Sequence, residues 1–279
     1  ERPFWTLAKT LASILLLTLV IGVISWKVHS DLKVARTDVF LTVAQNFSSE
    51  EQSLSLRFAV ISDLHVDDSA SNYAELRVLV EQVLKSSPQF ILLLGDYTQS
   101  PSSIINLKQH RVLVSEILGD FSDVPTIAVL GNYENWTEPS RWSLALGDVG
   151  IRVLENETSK LTIEGNSLCF RGLGDTFTKA YAFVDFPVEC NGLPQITLTH
   201  DPAGAFDPRM KGVIFAGHTH CGQIRLPYFG SIWIPSEAPE GATCGLYEDE
   251  QRLLWVSSGV GHSILPVRFG AKAQWDLVQ

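Results

Sequence analysis

The stretch RFAVISDLH, residues 57–65, decides how the rest of the chain is read. A short β-prone apolar run stops at Ser62, and an aspartate and a histidine follow two positions apart. The same arrangement recurs downstream. QFILLLGD (89–96) is a near-continuous apolar run, the pattern of a strand buried on both faces, and it ends in Gly95-Asp96. TIAVLGN (126–132) ends in Gly131-Asn132, ITLTH (196–200) in His200, and VIFAGHTH (213–220) in Gly217-His218-Thr219-His220. Between the early runs, residues 73–87 place Leu76, Leu79, Val80 and Val83 at helical spacing. Residues 104–118 read as a second helix and 139–146 as a third, with Pro139 in its first turn. Strands and helices alternating in this way predict βαβ units and a mainly parallel sheet. The second half has more short strands, at 151–154, 161–163, 167–170, 196–199, 213–216 and 253–256, and little helical periodicity. That asymmetry predicts an α/β sandwich of two sheets rather than one doubly wound sheet.

Upstream, residues 10–26 (TLASILLLTLVIGVISW) carry no charge. On a helix, Trp5 and Trp26 would stand about 31 Å apart, close to the thickness of a bilayer's hydrocarbon, with one Trp at each interface. Lys9 can snorkel outward. Ser25-Trp26-Lys27-Val28 offers no small-x-small cleavage site, so a retained transmembrane helix is expected rather than a removed signal peptide. Arg2 and Lys9 before the run and Lys27, Lys33 and Arg36 after it leave the orientation open. The expected organisation is an anchor over 1–30, a linker and edge strand (Val39, Leu41, Val43) over 31–55, and one catalytic domain over 56–279.

Hydrophobic residues make up 45% of the chain and charged residues 19%, a globular composition, and the formal net charge is −10. A protein that lives on nucleic-acid backbone would need the opposite balance, so no nucleic-acid partner is expected. The four cysteines, Cys169, Cys190, Cys221 and Cys244, form no C-x-x-C pair, which removes a zinc ribbon or thioredoxin-type site. Two disulfides, with Cys221–Cys244 as the first choice, and four free thiols both remain open.

The polar residues after the apolar runs are where chemistry is expected, because open α/β sheets place ligands at the carboxyl ends of their strands. In extended chain, residues i and i+2 point to one side, so Asp63 can converge with His65 and His218 with His220. Gly95, Gly131 and Gly217 would permit tight turns just before these groups. Imidazole, carboxylate and amide oxygen without thiolate suit divalent transition metals. Manganese is the expected ion, with iron, zinc, cobalt or nickel as other choices. Asp63, His65, Asp96, Asn132, His200, His218 and His220 are too many ligands for one four-coordinate ion, which points to two ions sharing a carboxylate.

The order D-x-H, G-D, G-N-x-E, H and G-H-x-H resembles the calcineurin-like metallophosphoesterase superfamily over essentially all of residues 56–279. L-T-H-D-P (198–202), G-H-T-H-C-G-Q-I (217–224) and P-V-R-F-G (266–270) resemble its bacterial membrane-anchored branch, which includes phosphodiesterases and enzymes acting on UDP-2,3-diacylglucosamine in lipid A synthesis. The resemblance implies a four-layer α/β/β/α sandwich of two mixed sheets flanked by helices. It implies a first metal on Asp63, His65, Asp96 and His220, and a second on Asp96, Asn132, His200 and His218. Asn132 and Tyr133 are the expected catalytic residues, with Glu134 orienting their loop. The family pattern has histidine where this chain has Tyr133. A phenol with an ordinary pKa of about 10 is a poorer acid than imidazolium, which predicts a preference for good leaving groups.

The expected activity is two-metal hydrolysis of a phosphoester or pyrophosphate bond at a bacterial inner membrane. The substrate would be a lipid-linked or nucleotide-linked phosphate ester, of the UDP-2,3-diacylglucosamine type or another envelope phosphodiester. The alternatives are a membrane-tethered binding or sensory module with a structural metal site, and a nuclease, which the net charge opposes. The sequence leaves oligomeric state open. Residues 176–186, rich in aromatics, read as core packing ahead of a greasy lip, and Asp175 as a turn cap. Ser263, in Gly261-His262-Ser263, lacks the second Gly of a nucleophile elbow.

Overall fold

The computed structural model describes residues 2–41 and 55–279, without the side chains of residues 2–8, 10–12, 14 and 15. In chain order the first half contains α1 (Arg2–Leu32), β1 (Ala35–Val39), β2 (Phe58–Ile61), α2 (Ala70–Lys85), β3 (Phe90–Leu93), α3 (Leu107–Leu118), β4 (Thr126–Ala128), α4 (Asn132–Asn135) and α5 (Pro139–Asp148). The second half is nearly all strand: β5 (Arg152–Val153), β6 (Glu157–Ile163), β7 (Asn166–Gly172), β8 (Gln195–Leu198), β9 (Gly212–Ala216), β10 (Arg225–Leu226), β11 (Gly230–Ser231), β12 (Gly245–Glu248), β13 (Arg252–Val256) and β14 (Gln274–Val278).

The strands form two mixed six-stranded sheets, ordered β1-β14-β2-β3-β4-β5 and β12-β13-β9-β8-β7-β6, with β10 and β11 as a separate hairpin. Strands β2 to β5 are parallel, as the alternating runs require, while β14 enters antiparallel to β2 and parallel to β1. The inner faces of the two sheets meet through Phe58, Phe90, Phe170 and Phe215. Phe58 stacks on Phe90 at 4.4 Å between ring centroids, and edge-on contacts to Phe215 and Phe170 join the sheets, each at 5.4 Å. All four rings are buried in one cluster. Stacked and edge-on ring pairs of this kind add to the stabilisation that burial alone gives.

The outer face of the first sheet is covered by α2, α3 and α5, whose Leu76, Val83, Val114, Ile117, Trp142 and Leu146 are buried against it. Helix α2 begins where Ser69 accepts from the Asn72 backbone N–H, an N-cap made by a hydroxyl. The outer face of the second sheet has no α-helix among the described residues. Ile214, Ala216, Leu254 and Val256 are covered by the 3-10 turns Pro202–Phe206 and Glu240–Ala242 and by Tyr181 and Phe183. The fourth layer is thus thinner than the α/β/β/α expectation: short turns, where helical periodicity was already missing from the sequence.

The edge strand lies at residues 35–39 and shares Val39 with the expected alternating run; Leu41 is outside it, and Val43 lies outside the described residues. The expected transmembrane segment is helical in α1. However, no helix among the described residues is long and apolar enough to cross a membrane, so the fold does not support a span. Its far end is fastened to the globular part. The buried Asp31 carboxylate accepts from the Gly270 N–H at 2.7 Å and pairs with Lys27 at 2.6 Å, while its carbonyl accepts from Ala273 N–H. All four cysteines are paired, Cys169 with Cys190 and Cys221 with Cys244, which leaves no free thiol.

His110 on α3 lies between Tyr73 of α2 and Trp142 of α5, with its Nδ1 2.7 Å from the Tyr73 hydroxyl. Burial pushes its pKa down to about 4. The unfolded chain, with histidine at about 6.5, therefore binds the proton first as pH falls. The stability tied to neutral His110 is complete above about 6.5 and lost on the way down to about 4. Urea midpoints measured across that window should fall more steeply for the wild type than for His110→Phe; equal slopes would contradict the assignment.

Candidate metal centre

The rim of the two sheets gathers all seven residues that the sequence singles out. Asp63 and His65 follow β2, Asp96 follows β3, and Asn132 opens α4 beyond β4. His200 follows β8, and His218 and His220 follow β9. Each is at most 5% exposed, in a protein whose charged groups would otherwise seek water.

The convergence is not produced by extended chain. Asp63, His65, Asp96, His218 and His220 all adopt left-handed backbone, with φ of 54°, 46°, 54°, 67° and 48°. Non-glycine residues rarely take this region, and runs of them are characteristic of strained functional loops. The strand-end glycines also act differently from expectation at two positions. Gly131 and Gly217 are needed for space: a Cβ at 131 would collide with the Asp96 side chain, and one at 217 with Ser62 Oγ.

Two clusters result. Asp63, His65 and His220 form one, and Asp96, His200 and His218 the other; within each, one ligand atom per residue lies within 4.8 Å of the others. In the first, His65 Nε2 is 2.9 Å from His220 Nε2, and Asp63 Oδ1 is 3.9 and 3.5 Å from these two nitrogens. In the second, His200 Nε2 is 3.1 Å from both His218 Nδ1 and Asn132 Oδ1. Asp96 Oδ2 lies between the clusters, 3.6 Å from His65 Nε2 and 3.3 Å from His200 Nε2.

The outer hydrogen bonds show which ring nitrogens are free to bind a cation. His200 Nδ1 faces the Leu94 carbonyl at 2.7 Å, and His218 Nε2 faces the Pro235 carbonyl at 2.6 Å. A carbonyl can only accept, so these nitrogens carry the protons. His200 Nε2 and His218 Nδ1 therefore face each other across the site; burial opposes charge on His200, but Asp96 outweighs it and holds its pKa well above the ordinary value, so a proton takes the place that a cation would fill. Burial, then the neighbouring His65 and Arg268, hold His220 well below its ordinary pKa, and burial likewise lowers His65. Both are thus kept in the neutral form that ligates. Burial opposes charge on Asp96, but His200 and then His65 outweigh it and keep the carboxyl below its ordinary value. The donor set fits a pair of divalent cations.

Three supports hold this geometry. The buried Glu134 carboxylate accepts backbone N–H groups from Asp96 (2.9 Å), Tyr97 (2.9 Å), Thr98 (3.2 Å) and Gly131 (2.9 Å), binding the loop after β3 to the loop after β4. Burial and then Asp96 push its pKa up to about 7, while the Gly131 and Thr98 N–H groups pull it down. Tyr133 N–H donates to Asp96 Oδ1 at 3.0 Å. Arg268, fully buried, donates to the carbonyls of Ser258, Gly259 and Gly261 and places Nη2 2.9 Å from His220 Nδ1.

Sequence reasoning gave Glu134 its orienting role; it included Arg268 within P-V-R-F-G (266–270) but assigned it no part in the site. The Leu94 and Pro235 carbonyls leave no mark in the sequence at all. The Ser263 hydroxyl sits 3.0 Å from that of Tyr133. Asp175 caps a turn by accepting from the Thr178 N–H and hydroxyl, each at 2.8 Å. From 176–186, Tyr181 and Phe183 pack into the core, while Phe177 stays half-exposed beside His218, 4.8 Å between centroids.

A family model described as calcineurin-like phosphoesterase matches residues 56–222. Phosphodiesterase YaeI of Escherichia coli (strain K12) is 23% identical, covering 82% of this chain and 84% of its own length. The metallophosphoesterase YkuE of Bacillus subtilis (strain 168) is 26% identical over 76% of this chain and 74% of its own. The UDP-2,3-diacylglucosamine pyrophosphatase LpxG of Chlamydia trachomatis serovar D is 26% identical over 74% of this chain and 78% of its own.

Glu134→Gln would keep the shape of the clamp but turn an amide donor toward backbone donors. Titration of the full chain with Mn(II) should then show affinity reduced by about 10–100-fold, the usual effect of losing an outer support. Affinity equal to wild type would show that the clamp is dispensable.

Proposed function

We propose that this chain, which belongs to the calcineurin-like phosphoesterase family, hydrolyses a phosphodiester or pyrophosphate bond using two divalent cations. One would be held by Asp63, His65, His220 and Asp96, the other by Asp96, Asn132, His200 and His218. The observation that carries the reading is the position of Asp96 Oδ2, 3.6 Å from a nitrogen of one cluster and 3.3 Å from a nitrogen of the other. When bound, such a pair supplies positive charge for the phosphoryl oxygens and a water acidic enough to attack near neutral pH. Imidazole and oxygen donors without thiolate suit manganese, iron, zinc, cobalt or nickel, of which we take manganese as the first to test.

The chain's own groups would do the rest. Asn132, at the N-terminus of α4 and beside His200, would orient a phosphoryl oxygen through its amide. Tyr133, with its hydroxyl against Ser263, occupies the place of the proton donor. Burial pushes its pKa up, which makes it a weaker acid still and favours leaving groups that need no proton.

The substrate class follows from location. Helix α1 leaves Leu16, Leu17, Leu19, Ile21 and Val23 exposed, an apolar surface that a bilayer would cover. We propose on that ground that the chain works at a bacterial inner membrane, attached through residues 1–30 without a span, with a linker over 31–55 and a catalytic domain over 56–279. Two disulfides favour an oxidising compartment, and hence an envelope phosphodiester outside the cytoplasm. Likeness to LpxG supports the second reading, a UDP-2,3-diacylglucosamine-type pyrophosphate reached from the cytoplasmic side.

The full chain with Mn(II) should hydrolyse bis-p-nitrophenyl phosphate, lose the activity to EDTA and regain it with Mn(II). Asp96→Asn and His218→Ala should each reduce turnover by about 10²-fold or more. A folded, metal-loaded wild type without turnover would leave a binding module instead. Across aryl phosphodiesters, kcat/KM should fall steeply as leaving-group pKa rises, and Tyr133→His should recover rate chiefly on the poorest leaving groups. A flat profile would remove the assigned role of Tyr133.

A further inference from the structure

The metal clusters open into a cleft of about 260 Å³ whose floor holds Asp96, Asn132, His218 and His220. Its walls are of another kind. Trp136, Phe177, Ile232, Trp233, Ile264 and Leu265 line it, and none of its lining residues is a lysine or arginine. Asp96, at the floor, is its only carboxylate. These wall residues face solvent: Trp233 is 62% exposed, Ile264 76% and Ile232 65%. Exposing such side chains side by side is unfavourable unless something apolar covers them.

The wall is built rather than incidental. The Gln223 side chain accepts from the Ser263 N–H at 2.8 Å and donates to the carbonyls of Ser263 and Leu265 at 3.1 and 3.0 Å. These three bonds hold the loop carrying Ile264 and Leu265 at the mouth of the cleft. On the other side, Ser231 at the end of the β10–β11 hairpin donates to the Cys221 carbonyl at 3.1 Å, and Cys221 is itself bonded to Cys244. The hairpin that leads into Ile232 and Trp233 is thereby tied to the residue next to His220. Trp136 and Phe177 meet edge-on at 6.0 Å between centroids, and Phe177 contacts the His218 ring directly.

We infer that this cleft is a hydrocarbon subsite, taking an alkyl or acyl part of the phosphoester while its phosphorus lies at the two clusters. The inference rests on the two-metal reading and adds the chemistry of the flanking group. A nucleotide in the same place would set further phosphate charges and a polar sugar against Trp233, Ile264 and Leu265, with no cation lining the cleft to meet them. A hydrocarbon chain would remove both its own surface and the wall's from water.

The test uses the full chain in detergent with Mn(II) and a series of p-nitrophenyl alkyl phosphodiesters with methyl, butyl, hexyl and octyl groups. The p-nitrophenyl ester of thymidine 5′-phosphate serves as the nucleotide arm. The leaving group is constant, so only the flanking group varies. We expect kcat/KM to rise by about two- to fourfold per added methylene until the cleft is filled, with the thymidine ester no better than methyl. In Trp233→Ser/Ile264→Ser, assayed in the same detergent, the slope should fall by at least half. That slope is a ratio within one preparation, indifferent to the fraction folded, and it controls for partition of substrate into micelles. No hydrolysis of any ester would bring down the two-metal reading itself. Hydrolysis with a flat profile, a preferred thymidine ester, or an unchanged slope in the double variant would overturn the subsite and leave that reading standing.

Discussion

At the rim of the two sheets, ring nitrogens and acceptor oxygens converge on a space that calls for positive charge. Carbonyl oxygens behind His200 and His218 take one hydrogen of each ring, which turns the other two nitrogens toward each other at 3.1 Å, and against the cost of burial Asp96 favours a second proton on His200. Asp96 adds a carboxylate oxygen and Asn132 an amide oxygen to the same space. In a buried region such an arrangement depends on a positive charge among the acceptors, and its geometry persists because the surrounding chain over-determines it. Much of the rest of the fold can be understood as the means of holding these acceptors together. The interdigitated phenylalanines fix the sheets, the sheets fix the ends of their strands, and Glu134 fixes two of those ends to each other through four backbone hydrogen bonds.

The same constraint explains where strain accumulates. Left-handed backbone at five of the candidate ligand positions is costly for side-chain-bearing residues, and none of the five is a glycine. Glycine is instead placed where neighbours press closest, at 131 against Asp96 and at 217 against Ser62. Permissive residues therefore supply room, while the candidate ligands accept the unfavourable torsions. Arg268 performs a related task at long range, gathering the carbonyls of the 258–261 loop around one buried cation next to His220.

Much of this was legible from the chain alone, for a physical reason. A strand buried on both faces must be apolar throughout, so the polar residue that ends it is conspicuous, and Asp63, Asp96, Asn132 and His218 could all be found that way. Strands with a polar interior position were not legible. In β14 the buried Asp276 interrupts the apolar run, burial pushing its pKa up to about 6, and in β12 only alternate residues are half-buried. The wall around Ile232 and Trp233 escaped as well. Its apolar residues sit in an irregular loop and follow neither a helical nor a strand period, and the clamp that holds the facing loop is a single glutamine side chain. Disulfide pairing depended on three-dimensional proximity that spacing could only suggest.

Strand β14 runs between β1 and β2, so the first sheet is interrupted until residues 274–278 take their place. Phe58 and Val60 line the inner core from the same strand that leads directly to Asp63. While the polypeptide is still emerging from the ribosome, that strand has one flank unpaired, and β1 with the helix before it has nothing to dock on. Pairing across so long a separation in sequence is slow compared with local helix formation. The first sheet, and with it the flank of the strand that leads to Asp63, is therefore complete only when residues 274–278 have paired.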